Sequence, residues 1–203
     1  TTTGGIGMAP TSGTKQMIGL NPLGFGAPTV KNPPFIFDAS TSSVAGNKIK
    51  LAKRLNVKIM GGWISDSSGI PIMEETEIPD EYNILPLGST REMGSHKGYS
   101  LAVMLEIMTS ILSATGGGLK RRFGSTHHFL AYNIDAFSSV DEFTDDLDDY
   151  LDDIRNNPPV SGEKRVVYAG LLEHETELNR DENGIPYHPE VIEWFKSITT
   201  ELN

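Results

Sequence analysis

An α/β fold is what this sequence predicts, and three observations predict it. The short apolar run Phe35-Ile36-Phe37-Asp38 reads as a buried strand. The segment from about Val44 to Leu55 sets Ile49, Ala52 and Leu55 on one helical face. The run from Gly98 to Ala114 is apolar nearly all round, which predicts a central buried helix.

The remaining segments follow in order. Residues 1 to 30 are rich in Gly, Pro and Thr. Gly4-Gly5-Ile6-Gly7 lacks the Gly-x-Gly-x-x-Gly spacing, and no helical pattern follows it, which argues against a Rossmann turn. The Ser and Thr residues at 40 to 43 offer N-caps for the helix at 44. Gly61-Gly62-Trp63 and Asp66 to Pro71 are turn chemistry around a short strand. Gly116-Gly117-Gly118 stops the apolar helix, and Lys120-Arg121-Arg122 then reads as a solvated basic loop or a ligand or subunit contact. Phe129 to Ile134 reads as a strand with His127 and His128 at its start. Ser139 to Glu142 is a capping box opening an acidic helix. Phe143, Leu147, Tyr150, Leu151 and Ile154 form the buried stripe of that helix, and Asp145, Asp146, Asp148, Asp149, Asp152 and Asp153 lie mostly on its solvated face. Arg165 to Tyr168 is a further strand candidate, and Pro189 to Leu202 a closing amphipathic helix with His188 as cap or surface residue. No internal repeat appears, nor a linker long enough to separate domains, so 1–203 reads as one portion.

Composition narrows the function classes. The 203 residues carry 17 basic and 27 acidic side chains, a net charge of −10, which argues against nucleic acid or an anionic membrane as partner. Without cysteine there is no disulfide, zinc–thiolate site or thiol nucleophile. That absence fits a reducing compartment, and no signal-peptide pattern is visible. The most apolar run, Leu101 to Leu112, is interrupted by Glu106 and is too short for a bilayer. The five histidines show no helical metal spacing, the acidic helix lacks the spacing of a calcium loop, and no Gly-x-Ser-x-Gly elbow occurs.

One segment carries chemistry of its own. Gly94-Ser95-His96-Lys97-Gly98-Tyr99 puts glycines and a His-Lys pair at the head of the apolar helix. Helix starts leave N–H groups free and carry partial positive charge, and Lys97 adds a full one, so this is a candidate anion site. The plain alternative is a buried helix that merely begins with Lys-Gly.

Read in order, the same segments resemble one family. Gly19-Leu20-Asn21-Pro22 with Ala27-Pro28, Phe35 to Ser42, Gly62-Trp63 with Asp66, Gly69 and Pro71, Leu85 to Gly88, His96 to Tyr99, and Asn183 to Pro186 are similar to six collinear motifs of the type-2 malate/L-lactate dehydrogenases. The resemblance implies a non-Rossmann α/β fold with a mixed or mainly antiparallel sheet flanked by helices. It implies NAD or NADP as cofactor, a small 2-keto or 2-hydroxy acid as substrate, a homodimer and a cytoplasmic enzyme. The family's cofactor contacts fall on Pro34, Phe35, Ile36, Phe37, Asp38, Ala39 and Ser40, on His96 and Lys97, and on Gly170, Leu171 and Leu172. The resemblance covers the C-terminal part of the family's length. The catalytic His and the Ser and Arg that bind substrate belong to the part it does not cover, so no catalytic residue is assigned. Leu20 for the usual Thr, Gly46-Asn47 for Arg-Gly and Met73-Glu74 for Thr-Asp depart from the pattern. The rival expectations are a non-catalytic nucleotide- or anion-binding domain and a protein kept for subunit assembly.

Overall fold

The computed structural model describes residues 1–122 and 124–202, which form a mixed α/β fold built on small sheets. The strands are β1 (Thr2–Thr3), β2 (Leu23–Ala27), β3 (Phe35–Ala39), β4 (Ile64–Ser65), β5 (Asn83–Ile84) and β6 (Thr126–His127). They pair as β1–β6, β2–β3 and β4–β5, the first and last antiparallel. Met8 bridges antiparallel to Ile18 and parallel to Ile84, so the pairing is mixed. The helices are α1 (Gly46–Leu55), α2 (Ser95–Glu106), α3 (Val140–Arg155), α4 (Leu171–Asn183) and α5 (Pro189–Leu202). None of them is long and apolar enough to cross a membrane.

The chain divides into two compact units, Thr1–Phe25 with Phe37–Phe137, and Gly26–Ile36 with Ser138–Asn203. The divisions fall inside β2 and β3. Ile36 and Phe37 are 49% and 37% exposed, so β3 is a strand as expected but not the buried one its apolar run implied. Its only neighbour among the described strands is β2, and a two-stranded pair has no second layer of its own to cover it.

In the first unit Val44, Ile49, Ala52, Ile59, Ile64 and Ile84 form a buried cluster, with Leu20 and Trp63 packed against it. The helix α1 supplies Ile49 and Ala52, whereas Leu55, expected on the same face, is 61% exposed. Asn56 at φ 51° ends the helix there, its N–H bonded back to Lys53 O, so Leu55 sits in the terminal turn. The hydroxyls at 40 to 43 do not cap α1. Its N-cap is Ala45, without a side-chain bond, because Ser42 Oγ donates to Val44 O and Ser43 Oγ to Pro86 O.

Helix α2 starts earlier than the pattern predicted, at Ser95, with Gly94 in the left-handed region at φ 97°. It runs into a wide π turn over Ile107–Ile111. Burial is one-sided rather than all round. Gly98, Ala102 and Leu105 face inward, while Met104, Ile107 and Ile111 are about half exposed. Gly98 explains the close seat of the helix, since a Cβ there would fall 2.2 Å from Leu87 O. Residues 129 to 134 form no strand. The ladder ends at His127, opposite Thr2, and Phe129 and Tyr132 are 88% and 68% exposed. Apolar periodicity can propose a strand but cannot supply the neighbour that holds it.

In the second unit Leu151, Tyr168 and Leu171 make the core, with Phe35, Leu147 and Ile154 against it. At α3 Ser139 caps the helix as expected, but Glu142 bonds the Ser139 hydroxyl rather than the Ser139 N–H that a full capping box would use. Ser139 Oγ accepts from Glu142 N at 3.2 Å and donates to Glu142 Oε2 at 2.8 Å. Ser139→Ala is expected to cost about 1 kcal/mol, read as a lower urea midpoint. Two expectations for α3 fail. Tyr150 is 63% exposed, and Asp148, placed with the solvated acids, is fully buried. Its Oδ2 accepts from Val30 N and Lys31 N at 3.0 and 2.9 Å, and its Oδ1 from Asn32 N at 2.8 Å, so a backbone turn replaces its water. Residues 165 to 168 are not a strand either. Pairing there reduces to Ala169 O accepting from Ile36 N at 3.0 Å. Helix α4 was not foreseen. At the start of α5, exposed His188 accepts from Glu190 N through Nδ1 at 3.3 Å, so of the two roles expected of it, cap or surface residue, it fills both.

Candidate functional site

The residues expected at the site fall into one set in each unit. In the first unit the exit of β3 carries Phe37, Asp38, Ala39 and Ser40, and the head of α2 carries His96 and Lys97. Both segments are tied to Leu87. Thr41 O accepts from Leu87 N at 2.9 Å, and Leu87 O lies under Gly98. Thr41 is fixed in turn, its N–H and its hydroxyl both donating to Leu20 O at 2.9 and 2.8 Å. Ser43 N donates to Leu85 O at 2.9 Å, so two backbone links, with the Ser43 hydroxyl donating to Pro86 O between them, hold the Ser/Thr run against 85–87. The sequence motifs around residues 19–22, 39–43, 85–88 and 96–99 thus meet in one stitched region.

The electrostatics there differ in detail from a bare helix terminus. Ser95 N donates to Thr90 O and Lys97 N to Gly94 O, both at 2.8 Å. Two of the N–H groups that the sequence reading left open are therefore taken by backbone carbonyls. Attraction for an anion rests on the Lys97 ammonium and the helix dipole, with His96 beside them. Both side chains are exposed, and α2 has no side-chain cap to compete for its N-terminus. Ser40 Oγ lies 2.9 Å from Ser42 Oγ, which orients it while leaving it further hydrogen-bonding capacity.

In the second unit Pro34, Phe35 and Ile36 lie against Gly170 at the head of α4. Gly170 is at φ 98°, and a Cβ there would fall 2.9 Å from Ile36 N and 3.0 Å from Pro34 O. Only glycine allows this approach without strain. Leu171 is 3% exposed and belongs to the core, whereas Leu172 is 48% exposed and is free to touch a ligand. Within this unit Ile36 and Leu172 offer exposed apolar surface of the kind a flat ring system covers. Within the first unit Lys97, His96 and Ser40 offer donors of the kind that suit phosphate oxygens.

Sequence reasoning missed a buried network under α2. Glu106 Oε1 accepts from Arg121 Nη2 at 2.6 Å and from Gly118 N at 2.8 Å, and Oε2 accepts from Asn21 Nδ2 at 3.1 Å. The Arg121 and Glu106 side chains are only 6% and 10% exposed. Burial alone would raise the Glu106 pKa, but the bonds from Arg121, Gly118 and Asn21 outweigh it and hold the carboxyl below its usual value. Beside it Thr3, Thr109, Ser110 and Thr126 bond hydroxyl to hydroxyl at 2.7 to 2.9 Å. The visible signal was a lone Glu in an apolar helix, ten residues before a glycine run.

These features define an α/β protein whose small sheets and helix-head Lys owe nothing to a doubly wound nucleotide fold. The family model for malate/L-lactate dehydrogenase matches residues 1–196, and the chain belongs to that family. It is 32% identical over 204 residues to malate dehydrogenase of Pyrococcus abyssi, an alignment covering 96% of this chain and 56% of the relative. With L-sulfolactate dehydrogenase of Methanocaldococcus jannaschii the identity is 29% over 202 residues, again 96% and 56%. The structure superposes on malate dehydrogenase from Entamoeba histolytica with a TM-score of 0.87 at 28% identity, covering 98% of this chain and 59% of that one. The chain thus spans a little over half the length of the relatives it matches.

Proposed function

We propose that this chain is the cofactor-binding portion of a cytoplasmic, homodimeric oxidoreductase that moves a hydride between a nicotinamide dinucleotide and a small 2-hydroxy or 2-keto acid. The joint at Leu87, which seats Ser40 and the His96-Lys97 pair against neighbouring backbone, is the observation that carries this reading. Lys97 and Ser40 hold phosphate or ribose oxygens, with His96 beside them. Phe37, Asp38 and Ala39 complete that set. Pro34, Phe35, Ile36, Gly170, Leu171 and Leu172 form the second set, in which Leu171 acts by fixing its neighbour. When bound, the cofactor supplies the hydride. The substrate class follows the names of the relatives, malate and sulfolactate.

Hydride transfer to a ketone also needs a proton donor and a clamp for the carboxylate. No residue of this chain is assigned to either role, so the purified 203 residues are expected to bind dinucleotide and to turn over neither malate nor lactate. Fluorescence titration with NADH and with NADPH tests the binding. Saturation by one of them, weakened about tenfold in Lys97→Ala, is the expected result. Absence of binding by both would remove the cofactor role, and turnover of either acid would remove the assignment of catalysis elsewhere.

A further inference from the structure

We propose that a groove beside the far end of α2 binds a monocarboxylate with an apolar tail. The groove has a volume of about 710 Å³ and belongs entirely to the first unit. That volume is within the range of small-molecule sites. Val103, Ile107 and Ile111, four residues apart, form one apolar wall, and Met17 faces the same space. Met17, Ile107 and Ile111 are each about half exposed, so the wall is open to a ligand.

Charge decides what kind of ligand fits. Lys120 and Arg122 also line the groove, and neither makes a side-chain ion pair among the described residues. The one carboxylate in the lining, Glu106, has both oxygens engaged by Arg121, Gly118 and Asn21. Its charge is therefore cancelled locally, and the groove is cationic in a chain of net charge −10. Helix carbonyls do not reverse this sign. Ile107 O accepts from Leu112 N, Ser110 O from Thr115 N, and Ile111 O from Ala114 N. An apolar wall with two free cations selects a carboxylate on a hydrocarbon tail over a neutral or cationic amphiphile.

The site is independent of the proposed cofactor residues. Lys97 and Ile107 are ten residues apart on one continuous helix, about 15 Å along its axis.

Calorimetric titration of the 203-residue chain with octanoate, decanoate and decylamine tests the proposal. Decanoate is expected to saturate one site and to bind about tenfold more tightly than octanoate, two methylenes shorter. Decylamine, with the same tail and opposite charge, should bind at least tenfold more weakly than decanoate. The doubly exposed variant Lys120→Glu/Arg122→Glu should lose at least tenfold for decanoate, with unchanged helicity by circular dichroism. Lys97→Ala should leave decanoate affinity unchanged, which separates this site from the cofactor reading. Absent or non-saturating binding, equal affinity for amine and acid, an unaffected double variant, or a loss in Lys97→Ala would each overturn the proposal.

Discussion

Glu106→Ala is expected to lower folding stability by about 4 kcal/mol, the largest single effect in the first unit. The substitution removes the acceptor of Arg121 Nη2, Gly118 N and Asn21 Nδ2 together. Arg121 cannot shed its proton, so it would remain charged in a space where its side chain is 6% exposed. The network has no slack to absorb the loss. Arg121 Nε and Asn21 Oδ1 already lack partners among the described residues. Glu106→Gln keeps the volume and one acceptor, and should recover part of the loss. Urea unfolding of the three proteins gives the comparison, and a Glu106→Ala midpoint equal to that of the unmodified chain would show that the pair contributes nothing. The pH dependence has a definite sign. A carboxyl held below its ordinary value adds stability that is complete above that value and drains away as acid protonates it in the fold.

Asp148→Ala is expected to cost about 3 kcal/mol in the second unit, because three backbone donors lose one charged acceptor. Desolvation works against the ionised Asp148, yet the N–H groups of Lys31, Asn32 and Val30 outweigh it and bring its pKa down from 3.8 to about 2. The associated stability is present above 3.8 and is lost as the pH falls through about 2. Asp148→Asn separates charge from shape. It fills the same space, but its amide nitrogen would face backbone donors that need an acceptor. The variant should be nearly as unstable as Asp148→Ala and should lose the acid-sensitive limb between pH 4 and 2. An unchanged acid limb in Asp148→Asn would assign that limb to other groups.

Short-range chemistry was readable from the sequence, and long-range partners were not. The Ser139 cap, the Gly61–Pro71 turns and the His188 cap each need only residues within a few positions. Asp66 shows the same thing, its Oδ1 accepting from Ser68 N and Ile70 N at 2.9 Å. Asp148 failed for the opposite reason. Its partners are more than a hundred residues away, and periodicity on α3 sees only another Asp in an acidic row. The strands expected at 129–134 and 165–168 failed likewise, since a strand exists only where another lies beside it. Burial was overestimated for α2 because composition measures how apolar a helix is, not how much of it is covered. At the candidate site the His96-Lys97 pair was visible as an anion-binding arrangement. That Leu87 would be the joint between it and Ser40 was not, because the signal is the missing Cβ of Gly98 against a carbonyl eleven residues earlier.

The interleaving of the two units has a consequence for synthesis and dissection. The second unit is assembled from Gly26–Ile36 and Ser138–Asn203, so its parts leave the ribosome about a hundred residues apart. Until α3 emerges, the turn at 30–32 has no Asp148 to organise it, and Phe35 lacks the Leu151–Tyr168–Leu171 cluster. Cutting the chain at 137 would not yield an autonomous C-terminal fragment, because such a piece carries Asp148 without its donors and Tyr168 without Pro33 O, the acceptor of its hydroxyl. Co-expression of the two pieces, or a permuted chain that rejoins 26–36 to 138, is the arrangement in which that unit could fold on its own.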